Sequence, residues 1–313
     1  MTEDEVAALD GDWSTSTPKE RAAYAFARKI SFEPHRFDDA DIAELKTHFT
    51  ELQILEMLLS VAQNNATNRW KEGAGIPQSK ESSNFAKTAD KPLPTDRILP
   101  IKTYLTPTSE KNRKTVTKVT PLQNDAVRPA LESREIVEKA LIAARTRTAR
   151  LPLVDKAKAK EILGDEPIST FAQLLANFPV SGKSRVASQR VAEDKGDLTP
   201  LLKAQVSWIV ARQDRAWYAT ADAKRRLTAL GQTDDQIYAL DGDWSKFAPK
   251  DKAMFTVARQ LAASPIVLTD AEAAEAVKQC GGNRDVVQLI NYTNARASFN
   301  RITEAAGLPA EGR

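Results

Sequence analysis

Glycine is scarce in this chain: 12 of 313 residues, roughly 4%, against about 7% in an average protein. Few glycines leave few positions for left-handed backbone, and alanine, lysine, glutamate and arginine, which favour helix, are abundant. Hydrophobic residues make up 42% of the chain and charged residues 28%, as is typical of globular proteins. The composition predicts an all-α fold and, at this length, about two domains.

Cysteine and histidine are scarcer still, with one cysteine, Cys280, and two histidines, His35 and His48. A single cysteine excludes an internal disulfide and suits a reducing compartment. Cys280 precedes two glycines at a predicted helix C-terminus, where the helix dipole disfavours a thiolate, so we expect a structural thiol. Neither histidine has partners at metal-ligand spacing. We therefore predict no metal site and no cofactor, and surface or capping roles for both histidines.

The chain lacks a strong excess of charge and lacks long apolar runs. Its formal net charge is +3, which does not favour nucleic acid or an anionic membrane as a partner. No apolar run approaches the ~18 residues of a membrane span. The acidic start lacks the basic and apolar regions of a signal peptide. We expect a cytoplasmic protein that binds neither nucleic acid nor membrane, and the sequence identifies no small-molecule ligand.

The sequence ALDGDWS occurs twice, at residues 8–14 and at residues 239–245. Seven consecutive identities, one of them a tryptophan, are improbable by chance. Further matches follow at the same offset of 231 residues, and Asn68-Arg69 matches Asn300-Arg301 after a one-residue gap. An internal repeat predicts two copies of one structural unit. The second copy has a long helical approach before ALDGDWS and the first does not, so we expect the first copy to be incomplete at its N-terminus.

Capping signals predict three helices in about 70 residues of each copy. A Ser, Thr or Asp that opens an apolar-periodic run, with a carboxylate three residues later, marks a helix start, and glycine marks its end. The start signals are Thr17 with Glu20, Asp38 with Asp41, and Thr269 with Glu272; the stop signals are Gly73 and Gly75.

These signals divide the chain into three parts. Residues 1–78 form the partial copy, residues 79–128 form a linker or arm rich in Pro, Ser, Thr and Lys, and residues 129–313 form a complete helical domain. Alternation at residues 115–119 predicts a short strand within the linker. The helix that opens at Pro200 is predicted to be the longest and to be buried on most sides. We expect the copies to pack against each other about a pseudo-two-fold axis, with homo-oligomers as a further form of self-association.

The order of these features is similar to that of a known family. The features follow in this order: an apolar helix, a Trp217-Tyr218 step, an Ala- and Arg-rich helix ending in glycine, the Leu-Asp-Gly-Asp-Trp phrase and a helix that begins with Pro. This order resembles the AhpD-like alkylhydroperoxidase branch of the carboxymuconolactone decarboxylase superfamily, over about residues 168–310 fully and 5–78 in part. The resemblance implies an all-α fold of paired AhpD-like helical repeats.

The peroxidase branch uses Cys-x-Tyr-Cys-x-x-x-His with a Glu twelve residues before the first Cys. One thiolate attacks the peroxide, the second resolves it as a disulfide, and His and Glu relay the proton. With Tyr218 aligned to the family's Tyr, all four working positions of this chain are alanine, and the His that the decarboxylase branch also keeps is absent. The four positions are Ala204, Ala216, Ala219 and Ala223.

What remains where the family keeps its site is an Asp-Arg pair beside two aromatics. Such a group could bind a small anion or polar ligand, but a salt-bridged helix with its aromatics in the core is the favoured interpretation. The repeated Asp-Gly-Asp-Trp phrase suggests calcium, yet the closing Glu of an EF-hand loop is absent. A turn whose tryptophan packs the next helix onto the core is favoured. The remnant residues are Asp214, Arg215, Trp217, Tyr218 and Asp222; those of the phrase are Asp10, Gly11, Asp12 and Trp13, and Asp241, Gly242, Asp243 and Trp244.

Two functions from different classes stay open at this point. The first is a catalytically degenerate AhpD-like structural or binding module. The alternative is a working peroxidase whose active half lies upstream of Met1 or in a partner. A nucleic-acid interface built on Arg145, Arg147, Arg150 and residues 156–160 is weaker, because acidic residues offset the charge. We expect Arg145, Arg147 and Arg150 to form a solvated helix face.

Overall fold

A computed structural model describes residues 9, 13–76, 130–164, 168–264 and 266–311. Within these ranges the chain forms α-helices and two 3₁₀ turns and no strand, so the all-α prediction is confirmed for the described residues. The predicted linker, its strand at residues 115–119, and Asp10, Gly11 and Asp12 lie outside them. The helices are α1 Pro18–Phe32, α2 Asp39–Lys46, α3 Glu51–Gly73, α4 Arg134–Arg145, α5 Lys156–Leu163, α6 Thr170–Leu175, α7 Pro179–Asp194, α8 Pro200–Asp214, α9 Trp217–Ala229, α10 Asp234–Tyr238, α11 Pro249–Ala262, α12 Asp270–Cys280 and α13 Asn283–Ala305.

The predicted helix starts are built as expected. Thr17, Asp38 and Thr269 each accept a backbone N–H with the side chain while a carboxylate three residues later accepts the cap residue's own N–H. These reciprocal bonds satisfy donors that a helix start otherwise leaves free, and each cap stabilises its helix by about 1 kcal/mol. Gly75 adopts φ 61° two residues after the last residue of α3, as a glycine stop signal predicts.

The long helices are α3 and α13, with 23 residues each, and they pack directly against each other. The prediction that the helix opening at Pro200 is the longest is wrong, because α8 ends after 15 residues where Arg215 turns into left-handed backbone. Its predicted burial is confirmed, since ten of its residues are buried. α13 also contacts α8, α9, α11 and α12, so it is the centre of the molecule.

The tryptophans of the repeated phrase have the same local structure. Trp13 and Trp244 take φ 57° and 61°, a left-handed conformation that costs a bulky residue about 1–2 kcal/mol. Each indole N–H donates to the carbonyl four residues earlier, that of Leu9 at 2.7 Å and of Leu240 at 2.8 Å. Both rings are buried, and Trp244 stands edge-on to Phe255 of the following helix α11. Trp13 likewise stands edge-on to Tyr24 of α1, so each tryptophan contacts the helix that follows it.

The expected solvated arginine face is wrong for Arg147 and Arg150. α4 ends at Arg145, and both side chains belong to the loop behind it. Arg147 pairs with Glu304 at 2.8 Å, and Arg150 donates to the Glu304 carbonyl at 2.9 Å and to Asp39 at 2.6 Å. The backbone N–H of Arg150 donates to the Ala306 carbonyl at 2.8 Å. Cations at the negative end of a helix are stabilising, so this loop fastens the C-terminus of α13.

Two buried arginines join the ends of distant helices. Arg69 of α3 donates to the carbonyls of Leu261 and Ala263, at 2.7 and 2.6 Å, at the end of α11. Arg301 of α13 donates to the Ser31 carbonyl, at 3.1 Å, near the end of α1. Both guanidinium groups also reach the Ser264 hydroxyl, at 2.5 and 3.3 Å. Carbonyls at a helix C-terminus have no hydrogen-bond donor within the helix. Here the two arginines act as their donors.

Replacing Arg69 tests how much this arrangement stabilises the fold. Arg69→Met leaves two carbonyls without their donor and removes one of the two arginines that donate to the Ser264 hydroxyl, so we expect the free energy of unfolding to fall by roughly 3 kcal/mol. Lys71→Met is the matched control, because Lys71 is exposed on the same helix. Urea denaturation followed by circular dichroism measures both. Equal effects of the two substitutions would contradict the role assigned to Arg69.

Candidate functional site

The predicted site residues gather where α8 gives way to α9. Arg215 takes φ 52°, and the next N–H, that of Ala216, donates back to the Ala211 carbonyl at 3.0 Å. Two residues therefore suffice to reverse the chain, and α8 and α9 pack side by side. The first N–H of α9, that of Trp217, donates to the Glu304 carboxylate at 3.0 Å. A carboxylate at a helix start stabilises it, so α13 fixes the position of α9.

The four alanines that the sequence resemblance aligned with the working positions of the peroxidase branch are completely buried. They do not form one site: two belong to the apolar cluster around Tyr218, and two belong to a separate cluster around Trp208. A methyl group can neither attack a substrate nor transfer a proton. The first pair is Ala216 and Ala219, and the second is Ala204 and Ala223.

Asp214 and Arg215 do not pair with each other. Asp214 is buried, accepts from the Asn300 amide at 2.9 Å and lies 3.5 Å from the Arg301 guanidinium. Arg215 instead donates to the Glu132 carboxylate and contacts the ring of His35 at 3.1 Å. Both residues therefore form ionic contacts, as expected, but with other residues and not with each other. The left-handed backbone at Arg215 directs the two side chains to different neighbours.

A buried ion-pair network that the sequence reading missed lies behind this turn. Arg212, 1% exposed, donates to the Glu132 carboxylate at 2.9 Å and to the Asp241 carboxylate at 3.0 Å. Asp241 also accepts the indole N–H of Trp208 at 2.8 Å. Burial raises the pKa of Asp241, and the Arg212 charge opposes that rise. Only an arginine inside the apolar pattern of α8 signalled this network in the sequence.

The second copy of the repeated phrase positions the Arg212 side chain and closes its own turn. Asp241, its first carboxylate, anchors Arg212, and Asp243 accepts the N–H of Ser245 at 3.0 Å to close the turn. Among the residues that the structure describes, no three His, Cys, Asp or Glu side chains are grouped so that they could hold a metal ion. The turn interpretation holds for the second copy, whose phrase is described in full.

Tyr218 and Asp222 are the two remnant residues that share a cavity. The cavity has a volume of about 180 Å³ and is also lined by Glu311, Arg225 and Gln189. Tyr218 donates to Glu311 at 3.1 Å, and burial, followed by the Glu311 charge, raises the pKa of Tyr218 well above its usual range. Asp222 is paired with Arg225 at 2.7 Å. The protonated phenol can donate a hydrogen bond and the carboxylates can accept one, so the cavity can bind a polar group.

Trp217 and the remaining reactive residues lie away from this cavity. The Trp217 ring stands 5.9 Å from the Arg212 guanidinium. Cys280 is the last residue of α12, with its sulfur 3.4 Å from the sulfur of Met254, and burial raises the pKa of its thiol. His48 lies 3.6 Å from Glu44 on the surface of copy one. Of Cys280, His48 and His35, the structure brings only His35 to the α8–α9 turn, where it contacts Arg215.

Comparison with known proteins gives no assignment: no family model, no curated protein and no solved structure matches this chain. None of the helices in the described ranges has both the length and the apolar character to cross a bilayer.

Glu72 and Glu304 occupy matching positions, three residues after Arg69 and Arg301, but their surroundings differ. Glu304 caps α9 and pairs with Arg147. The Oε2 atom of Glu72 is buried without a hydrogen-bond partner, and burial raises the pKa of Glu72 to about 7.

This difference predicts a pH dependence of stability. The folded pKa of Glu72, about 7, exceeds the value of 4.5 for a free carboxyl, so the folded state binds a proton more tightly. The contribution is fully present below pH 4.5 and is lost as the pH rises through about 7. We expect urea midpoints at pH 5 and pH 8 to differ less in Glu72→Gln than in the parent protein.

Glu56→Gln is the matched control, since Glu56 is exposed on the same helix. An unchanged difference between the two pH values in Glu72→Gln would show that Glu72 does not titrate in this range.

Proposed function

We propose that this protein is a catalytically inactive, AhpD-like helical module that works by binding or by structural assembly and performs no thiol redox chemistry. The observation that carries the proposal is the complete burial of the four alanines at the positions of the family's two Cys, His and Glu. The thiol cycle needs two thiols at one site. This chain has one cysteine, and it lies on a different helix from the α8–α9 turn.

We further propose that the two repeat copies pack as a pseudo-symmetric pair. Three observations support this. The long helices α3 and α13 have equal length and pack together. Arg69 of the first copy binds the end of α11 in the second, and Arg301 of the second binds the end of α1 in the first. Gly75 and Gly307, which follow these helices, share φ values of 61° and 59°.

A pair of this kind lets each copy bury the apolar face of the other. Each set of three helices presents an apolar face that is too small to be stable alone, and the other copy covers it. Because the interface is made within one chain, its formation does not depend on protein concentration, as the assembly of separate subunits would.

Peroxide consumption tests the absence of redox chemistry. With hydrogen peroxide or an alkyl hydroperoxide and a dithiol reductant, we expect the full chain to show no turnover above the uncatalysed rate, and Cys280→Ser to behave identically. The reason is that the only thiol is partly buried and its pKa is raised, so little thiolate is available.

Two outcomes would contradict the proposal, each in a different way. Turnover that Cys280→Ser abolishes would make Cys280 a reactive thiol that works with a thiol from another molecule. Turnover that survives the substitution would place a catalytic group outside the residues considered above.

A further inference from the structure

A groove of about 730 Å³ runs between α3, α7 and α13, apart from the α8–α9 turn. Its volume lies within the ~300–1,000 Å³ of small-molecule sites. Each helix contributes one face at the spacing of successive turns, for example Ala66, Thr67 and Trp70 on α3. The wall formed by α7 carries three serines, Ser181, Ser184 and Ser188. The groove therefore offers hydroxyl groups on one wall and apolar surface on another.

Arg185 is the only charged side chain among the described residues that line the groove. No carboxylate in the described part of the chain forms an ion pair with it, whereas Arg212 and Arg296 bind carboxylates at 2.9 and 3.1 Å. Burial lowers the pKa of Arg185, although a guanidinium stays charged at neutral pH. A cation without a counter-ion inside a groove attracts an anion.

Asn294 supplies the second, independent observation. It lines the groove and is 3% exposed, yet neither its amide nitrogen nor its amide oxygen has a hydrogen-bond partner among the residues that the structure describes. Buried amides are almost always paired, because an unpaired one destabilises the fold. Because the unpaired Asn294 amide lies at the wall of a groove, we expect it to form its hydrogen bonds with a ligand that occupies the groove.

The remaining lining is aromatic and aliphatic. Phe171, Phe299, Leu175 and Ile302 form an apolar surface with the indole of Trp70. The 180 Å³ cavity beside Tyr218 adjoins this surface and shares Phe171, Gln189 and Phe299 with it. That cavity carries two carboxylates, Asp222 and Glu311, and one cation, Arg225, which is already paired with Asp222, so it attracts an anion less than the groove does. The charged end of a ligand is therefore directed to Arg185, and its apolar body to the aromatic surface.

We propose that this groove binds an amphiphilic monoanion, a molecule with one carboxylate on an aliphatic or aryl body. Arg185 binds the carboxylate, Asn294 donates or accepts one further hydrogen bond, and Trp70 and Phe299 hold the body. This proposal gives a ligand class to the proposed binding module and in that respect rests on it. Its test measures carboxylate binding only. The ligand class can therefore be wrong while the peroxide assay still shows no activity, and peroxide turnover can appear while the carboxylate still binds.

The test is isothermal titration of the full chain with two probes, decanoate and 1-naphthoate, and with decanol as the neutral control. We expect saturable binding of one equivalent of a carboxylate and no binding of decanol. Binding of decanoate alone identifies an aliphatic ligand, and binding of 1-naphthoate alone identifies an aryl ligand. Failure of both carboxylates to bind, or equal binding of decanol, would overturn the proposal.

Charge substitutions on α7 locate the site. Arg185→Gln should weaken carboxylate binding about tenfold, because it removes a charge-assisted hydrogen bond. Lys183→Gln removes a charge two residues away, from an exposed side chain that is not part of the groove, and should leave the affinity unchanged. Equal effects of the two substitutions would show that binding depends on net charge and not on the groove.

Asn294→Leu separates binding from structure. Leucine is close to asparagine in size and removes the unpaired amide, so the ligand-free variant should melt at a higher temperature than the parent while binding the carboxylate less tightly. A merely structural asparagine would lose stability on substitution, and that result, or an unchanged affinity, would exclude Asn294 from the site. Arg185→Gln remains a test of the groove if Asn294→Leu does not fold.

Discussion

Two buried guanidinium groups hold the described part of the chain together. Arg69 and Arg301 bind carbonyls at the ends of helices that lie about 190 and 270 positions away in the sequence. Burying a cation is unfavourable: burial, and then the charge of Arg301, lowers the pKa of Arg69 to about 9. The cation is tolerated because the C-terminal carbonyls of a helix carry partial negative charge and because Asp214 lies 3.5 Å from Arg301. The two arginines thus donate hydrogen bonds to carbonyls at helix ends and connect helices that are distant in the sequence.

The same chemistry governs the α8–α9 turn, where a catalytic site was a natural expectation. Arg212 and Arg215 converge on the Glu132 carboxylate, and Arg212 continues to Asp241 of the repeated phrase. Every ionic group close to the turn therefore has a partner within the protein. A reacting site needs groups held free for substrate, and alanines supply none. The groove differs in both respects, since within the described residues Arg185 has no carboxylate partner and the Asn294 side chain has no hydrogen-bond partner. The binding site that we propose therefore lies in the groove and not at the turn.

Local signals in the sequence predicted several helix starts but not every helix, and they did not predict the contacts between helices. The capping boxes at Thr17, Asp38 and Thr269 predicted helix starts correctly, because a cap is made by neighbouring residues. Helix α7 was missed, since a polar helix with serines on its groove face carries no apolar period. The length of α13 was also missed, because the buried positions of that helix include Asn294, Arg296, Asn300 and Arg301, which weaken its apolar pattern. Ion pairs such as Arg212 with Glu132 join residues 80 positions apart, and no spacing rule connects them. The groove, which depends on three such helices, could not be anticipated.

If the two repeat copies form one cooperative unit joined by α3 and α13, as we propose, neither helix can unfold alone. Native-state hydrogen exchange followed by NMR tests this, because it measures the free energy of opening for each amide. We expect the central amides of α3 and α13 to exchange only by global unfolding, with equal free energies that fall together as denaturant is added. Amides of α3 that open with a free energy several kcal/mol below that of α13 would show that the first copy unfolds independently of the second.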